Sequence, residues 1–75
     1  MITSIEGILI FKTNIQTESD RLRIQSVLDH LDGIEKWNVD LQDIDCVLRI
    51  ESRQFSPAEI ILIINRCGFE CAELE

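Results

Sequence analysis

The spacing of apolar residues changes several times along this chain, and each change marks an element. Gly7 to Phe11 is an unbroken β-branched and aromatic run behind a glycine, which predicts a strand buried on at least one face. From Arg21 to Leu31 the period lengthens. Ile24, Val27, Leu28 and Leu31 fall at i, i+3, i+4 and i+7, the stripe of an amphipathic helix. Thr17 or Ser19 can cap it, Glu18 and Asp20 suit its first turn, and Asp32-Gly33 stops it. Trp37, Val39 and Leu41 then alternate with Asn38 and Asp40, a half-buried second strand. Cys46, Leu48 and Ile50 alternate with Val47, Arg49 and Glu51, a third strand, and the polar run Gln42 to Asp45 joins the two as a hairpin. Ser56-Pro57-Ala58-Glu59 combines a cap, a proline at the first helical position and a capping-box glutamate. The helix it opens reaches Arg66 or Cys67 and stops at Gly68. Ile60, Ile61, Ile64 and Cys67 share its inner face with Ile63 at the edge, while Leu62 points nearly opposite. Phe69 to Leu74 reads as a short last strand.

The order βαββαβ implies an α+β fold, the ferredoxin-like sandwich, with a four-stranded antiparallel sheet and two helices on one face. Residues 1–75 show no repeat, linker or low-complexity segment and are read as a single domain with one small core.

Charge narrows the partners. Fourteen acids against seven bases leave a net charge of -7, so neither nucleic acid nor an anionic membrane is an expected partner. A protein with a basic surface suits this charge better. Met1 to Glu6 lacks the basic start and long apolar run of a signal peptide, and Ile60 to Ile64 is far short of the roughly 18 residues of a membrane span. Three cysteines without framework spacing read as free thiols, which places the chain in a reducing cytoplasm.

Lys12 to Asp20 joins the first strand to the first helix. Irregular backbone at the mouth of a helix suits ligand binding, because the first amides of the helix have no partners inside it. This stretch holds neither cysteine nor histidine. Around it, several segments carry a family likeness. Leu31-Asp32-Gly33-Ile34 resembles the L-x-G-V turn of the heavy-metal-associated domain family, the fold of bacterial copper chaperones and of modules of metal-pumping ATPases. Trp37 to Leu41 resembles that family's V-x-V-D-L strand, and Ile64 to Phe69 its I-x-x-A-G-[YF] helix end. Lys12-Thr13-Asn14-Ile15 resembles the strand end before its metal loop, with Ile15 in the place of a buried methionine.

The resemblance covers nearly the whole chain and implies the same sandwich, used to dock on protein partners. The family holds soft metals by C-x-x-C in the first loop, where two thiolates face one ion. Counting back from Leu31-Asp32-Gly33, those two positions fall on Thr17 and Asp20. Neither is a soft ligand, so the expectation is of no metal and no cofactor.

Other residues have plainer roles beside their chemical ones. Cys67 and Cys71 lie four apart across Gly68 and could form a displaced Cu or Zn site; buried thiols packing as small hydrophobes are the plainer account, as for Cys46. His30 lies off the apolar stripe and reads as solvated. Glu18, Asp20, Asp43, Asp45 and Glu70 should gather at one end of this topology, as a solvated rim, a docking patch for a basic protein or a hard-cation site, though no Ca²⁺ loop spacing is present. Leu62 is a candidate contact for a partner or for a homodimer, and Trp37 is placed in the core. There is no nucleophile with a base, no P-loop and no arginine in the first loop to cradle phosphate, so no enzyme is expected. The leading reading is a non-enzymatic heavy-metal-associated-like domain, a protein-interaction or degenerate metal-trafficking module. Metal binding by other ligands and a dimeric small-molecule sensor are the alternatives.

Overall fold

A computed structural model of the chain describes residues 7–74, so the reading of Met1 to Glu6 lies outside the described residues. The elements are β1 (Ile8–Thr13), α1 (Glu18–Leu28), β2 (Ile34–Val39), β3 (Leu48–Ser52), α2 (Pro57–Arg66) and β4 (Cys71–Glu73). All strand pairs are antiparallel, in the order β2-β3-β1-β4. This is the ferredoxin-like sandwich expected from the element order.

One face of the sheet meets the helices. Phe11, Leu48 and Ile50 from the central strands pack with Ile24 and Leu28 of α1, Ile60 and Ile64 of α2, and Ile15 and Phe69 from the connections. Strand alternation turns Ile10, Lys12, Arg49 and Glu51 to the opposite, open face. In α2 the fully buried pair is Ile60 and Ile64, while Ile61, Ile63 and Cys67 pack partly against the core.

Several boundaries differ from the pattern reading, each for a local reason. β1 runs on to Thr13 because Lys12 and Thr13 pair with Ala72 and Cys71 of the edge strand. α1 begins at Glu18 with Thr17 as its cap, one of the two caps read from the sequence, because Thr17 and Asp20 form a complete capping box. It ends at Leu28 rather than Leu31: His30 and Leu31 donate to Val27 and Leu28, a tighter i→i+3 turn that leads to Gly33 at φ +102°. β3 starts at Leu48 because Cys46 has a left-handed φ of +45° inside the preceding turn, which breaks the alternation. Trp37 is half-buried, and its indole N–H donates to Asp29 Oδ1 at 2.8 Å, so it ties β2 to the end of α1 at the margin of the core.

α2 has both ends closed by its own sequence. Ser56 and Glu59 complete the capping box with Pro57 at the first turn. At the other end Phe69 N–H donates to Ile64 C=O and Gly68 N–H to Asn65 C=O, with Gly68 at φ +96°. This is a Schellman ending, and its usual apolar contact is the core pair Phe69 and Ile64. Removing either N-cap hydroxyl, by Thr17→Ala or Ser56→Ala, should cost about 1 kcal/mol, read as a lower urea midpoint at unchanged slope. Thr17→Ser should be close to neutral.

Candidate functional site

Three connections converge at one end of the sandwich, and hydrogen bonds from the β1–α1 stretch hold them there. Thr13 N–H donates to Asp45 C=O at 3.0 Å, and the Thr13 hydroxyl donates to Cys46 C=O at 2.7 Å. On the other side Asn14 Oδ1 accepts from Glu70 N–H at 2.8 Å. Ile15 is fully buried beneath them, with its N–H donated to Thr13 Oγ1 at 3.1 Å. Thr13 therefore binds the hairpin, Asn14 binds the α2–β4 turn, and Ile15 anchors both to the core.

The next residues close the mouth of α1. Thr17 Oγ1 accepts from Asp20 N–H at 3.0 Å, and Asp20 Oδ2 accepts from Gln16 N–H at 3.1 Å and Thr17 N–H at 3.3 Å. The two side chains at positions 17 and 20 thus meet across the helix N-terminus, as hard oxygens already engaged with amides. They do not fit a soft ion. Glu18, next to them, pairs with Arg21, whose hydrogen bond holds the Glu18 carboxyl below its ordinary range.

The hairpin supplies the outer rim. Asp40 Oδ1 accepts from Gln42 N–H at 3.0 Å and Asp43 Oδ1 from Asp45 N–H at 2.8 Å, two aspartate turns in succession. They hold Ile44 outward, where it is 94% exposed, the highest value among the large apolar residues described. Beside it a shallow cleft of about 210 Å³ is lined by Lys12, Thr13, Ile44, Asp45, Glu70, Cys71 and Ala72. Asp45 and Glu70 thus line this cleft with the exposed isoleucine and Lys12, Asp43 flanks Ile44 in the turn, and Glu18 is engaged with Arg21 in the first turn of α1. Leu62 is 52% exposed, on the outer side of α2 and apart from this rim.

The soft donors are the three thiols, all free. The structure separates Cys67 from Cys71. Cys67 caps α2 and lines an apolar groove with Val27, Leu31, Ile63 and Arg66, whereas Cys71 pairs with Thr13 and lines the loop-end cleft. Cys46 is buried below the hairpin. Among the described residues no group of three or more His, Cys, Asp or Glu is placed to hold a metal ion. Burial pushes the Cys71 thiol up to about 11. Because the folded chain then holds this proton more tightly than the unfolded chain, Cys71 contributes stability that is present below pH about 9 and is lost as pH rises toward about 11. Cys71→Ala should flatten that part of an alkaline denaturation curve, and iodoacetamide should modify Cys71 with a pH midpoint displaced upward.

No protein-family model matches this chain, and no curated protein matches it. Solved structures do. The complex of Atx1, Cu(I) and Ccc2a matches at a TM-score of 0.77 and 21% identity over 91% of this chain and 94% of that one. The fold is that of the heavy-metal-associated copper chaperones. The Cu(I)-loaded first domain of the human copper chaperone for SOD1 matches at TM-score 0.78 and 14% identity, over 93% of this chain and 94% of that one. The yeast copper transporter domain Ccc2a, solved in apo and Cu(I)-loaded states, matches at TM-score 0.77 and 21% identity, over 92% and 96% of the two chains.

These neighbours correct one expectation drawn from sequence. The absence of soft ligands at Thr17 and Asp20 led to an expectation of no cofactor, but the structures that share this heavy-metal-associated fold are described with Cu(I). The expectation rested on the side chains of one loop, while the likeness of fold to these structures extends over 91–93% of the chain. Sequence reasoning also missed Thr13, Asn14 and Ile44. An isoleucine between two aspartates in a turn was a legible sign of an exposed apolar point; the hydrogen bonds of Thr13 and Asn14, to residues 33 and 56 positions away, had no local sign.

Proposed function

We propose that this chain is a non-enzymatic metal-trafficking module of the copper-chaperone fold that docks on a basic protein partner through its loop end. The observation that carries the reading is Ile44, 94% exposed between Asp43 and Asp45 and lining one cleft with Asp45, Glu70 and Lys12. An apolar point inside an acidic rim is the pattern of a contact in which burial of the central residue supplies affinity and the surrounding charge selects and orients the partner. Support from the fold is that one structural neighbour is itself a complex of two proteins with Cu(I).

Copper is the cargo in this reading. The capping-box oxygens of Thr17 and Asp20 are spent on amides, so thiols must meet a soft ion. Cys71 is the thiol that lines the loop-end cleft beside Ile44, and it is the donor this chain offers where a loaded partner would sit.

The test is an amide NMR titration of the reduced chain with a Cu(I)-loaded domain of the same fold that has a basic loop end. Shifts should cluster at Asp43 to Asp45 and Glu70 to Ala72, weaken as salt is raised, and vanish in Ile44→Glu. Cys71→Ser should retain docking but show no Cu(I)-dependent shift. Shifts confined to the outer side of α2 around Leu62, or no response to the loaded domain, would overturn the proposal.

A further inference from the structure

The open face of the sheet is unusual for so acidic a chain. Register places Asn38, Arg49 and Ile10 in one row across β2, β3 and β1, and Leu74 N–H donates to Ile10 C=O, which extends the row to the chain's last described residue. The row below holds Lys36, Glu51 and Ile8, and Lys12 lies beside Ala72 above. In these rows the charged side chains are Lys12, Lys36, Arg49 and Glu51, a basic excess in a protein of net charge -7. Neither Lys36 nor Arg49 is in an ion pair among the described residues. Next to these cations are Ile10 and Leu74, 37% and 38% exposed. A cleft of about 300 Å³ lies between Lys36, Trp37, Asn38, Arg49 and Glu51. The face therefore offers Lys36 and Arg49 beside Glu51 along β2 and β3, and Ile10 and Leu74 beside Lys12 along β1 and β4.

We infer that this face seats the loop end of a second copy, with Ile44 on Ile10 and Leu74 and with Asp43 and Asp45 against Arg49 and Lys36. The inference rests on the reading of the loop end as a docking element and names one basic partner for it. The complementarity is on the chain itself: the exposed isoleucine between two carboxylates is the counterpart of half-exposed apolar residues beside two uncommitted cations. The aspartate turns present Ile44 in a fixed position, so little ordering is left for the moment of contact. The two surfaces differ, so the contact is heterologous, and a copy that gives its loop end can receive another on its sheet. Self-association of this kind covers the docking end and competes with other partners.

Sedimentation equilibrium on the reduced chain tests this with two variants. Ile44→Glu removes the knob, and Lys36→Glu/Arg49→Glu reverses the seat; all three side chains are exposed, and circular dichroism checks the folds. The unaltered chain should show a weight-average mass that rises with concentration and falls back with added salt. Each variant alone should stay monomeric. An equimolar mixture should give a one-to-one pair and nothing larger, because only one knob and one seat survive in it. A monomeric unaltered chain, a discrete dimer that the seat variant leaves intact, or a mixture that stays monomeric would overturn the inference. A monomeric chain that still responds at Asp43 to Asp45 to the Cu(I)-loaded domain would leave the docking role standing, so the two proposals fail separately.

Discussion

Replacing both capping-box residues, Thr17→Cys/Asp20→Cys, should raise the Cu(I) affinity of this chain on the order of 10³-fold, equivalent to roughly 4 kcal/mol. The reason is geometric. The side chains at positions 17 and 20 already meet, as shown by the reciprocal 3.0 and 3.3 Å hydrogen bonds between each side chain and the other's amide. Two thiolates at those positions would face one ion. The helix N-terminus lowers thiol pKa values, which favours the metal-binding form. The surrounding loop needs no rebuilding, because Thr13, Asn14 and Ile15 hold it from the hairpin, the α2–β4 turn and the core. Without metal the double variant should be less stable by about 1–2 kcal/mol from the lost caps, and with Cu(I) it should melt higher than the unaltered chain. Single replacements should gain far less, since one thiolate leaves the ion without its second soft ligand. Competition against a chelator of known affinity measures this. A double variant that binds no more tightly than the unaltered chain would mean that the loop does not bring the two side chains to a common point.

Phe11→Ala should remove a large share of the folding free energy. Phe11 is fully buried in the central strand β1, paired with Leu48 on one side and Glu73 on the other, and it belongs to the single core cluster. Truncating a buried phenylalanine costs about 3–5 kcal/mol through lost burial and the cavity left behind. A domain of this length has roughly 4–11 kcal/mol in total. The variant should therefore be substantially unfolded at physiological temperature or show a steep drop in urea midpoint. Its neighbour Ile10 lies on the open face at 37% exposure, so Ile10→Ala should cost under about 1 kcal/mol. Equal effects from the two would contradict the assignment of faces.

Much of this fold is legible in the sequence. Period changes marked all six elements. Ser56-Pro57-Ala58-Glu59 announced the start of α2, and Gly68 its end, because caps are local chemistry written within four residues. The spacing Leu31-Asp32-Gly33, Trp37 to Leu41 and Ile64 to Phe69 pointed to the heavy-metal-associated fold that the solved structures share. The extents of α1 and β3 were misjudged where a local competitor overrode periodicity. The tight turn after Leu28 shortened the helix, and the left-handed Cys46 shortened the strand.

Local pattern, then, dictates the order of elements, which face of each is buried, and that the first loop holds side-chain oxygens and no thiol. These follow from the periods of helix and strand and from side-chain chemistry, both of which act over a few residues. Tertiary structure alone decided that Thr13 and Asn14 tie three loops together, that Cys67 and Cys71 open into different cavities, and that Arg49, Ile10 and Leu74 share one row of the open sheet. Those arrangements depend on strand register and on the packing of segments dozens of residues apart, and no local pattern along the chain encodes where such distant residues meet.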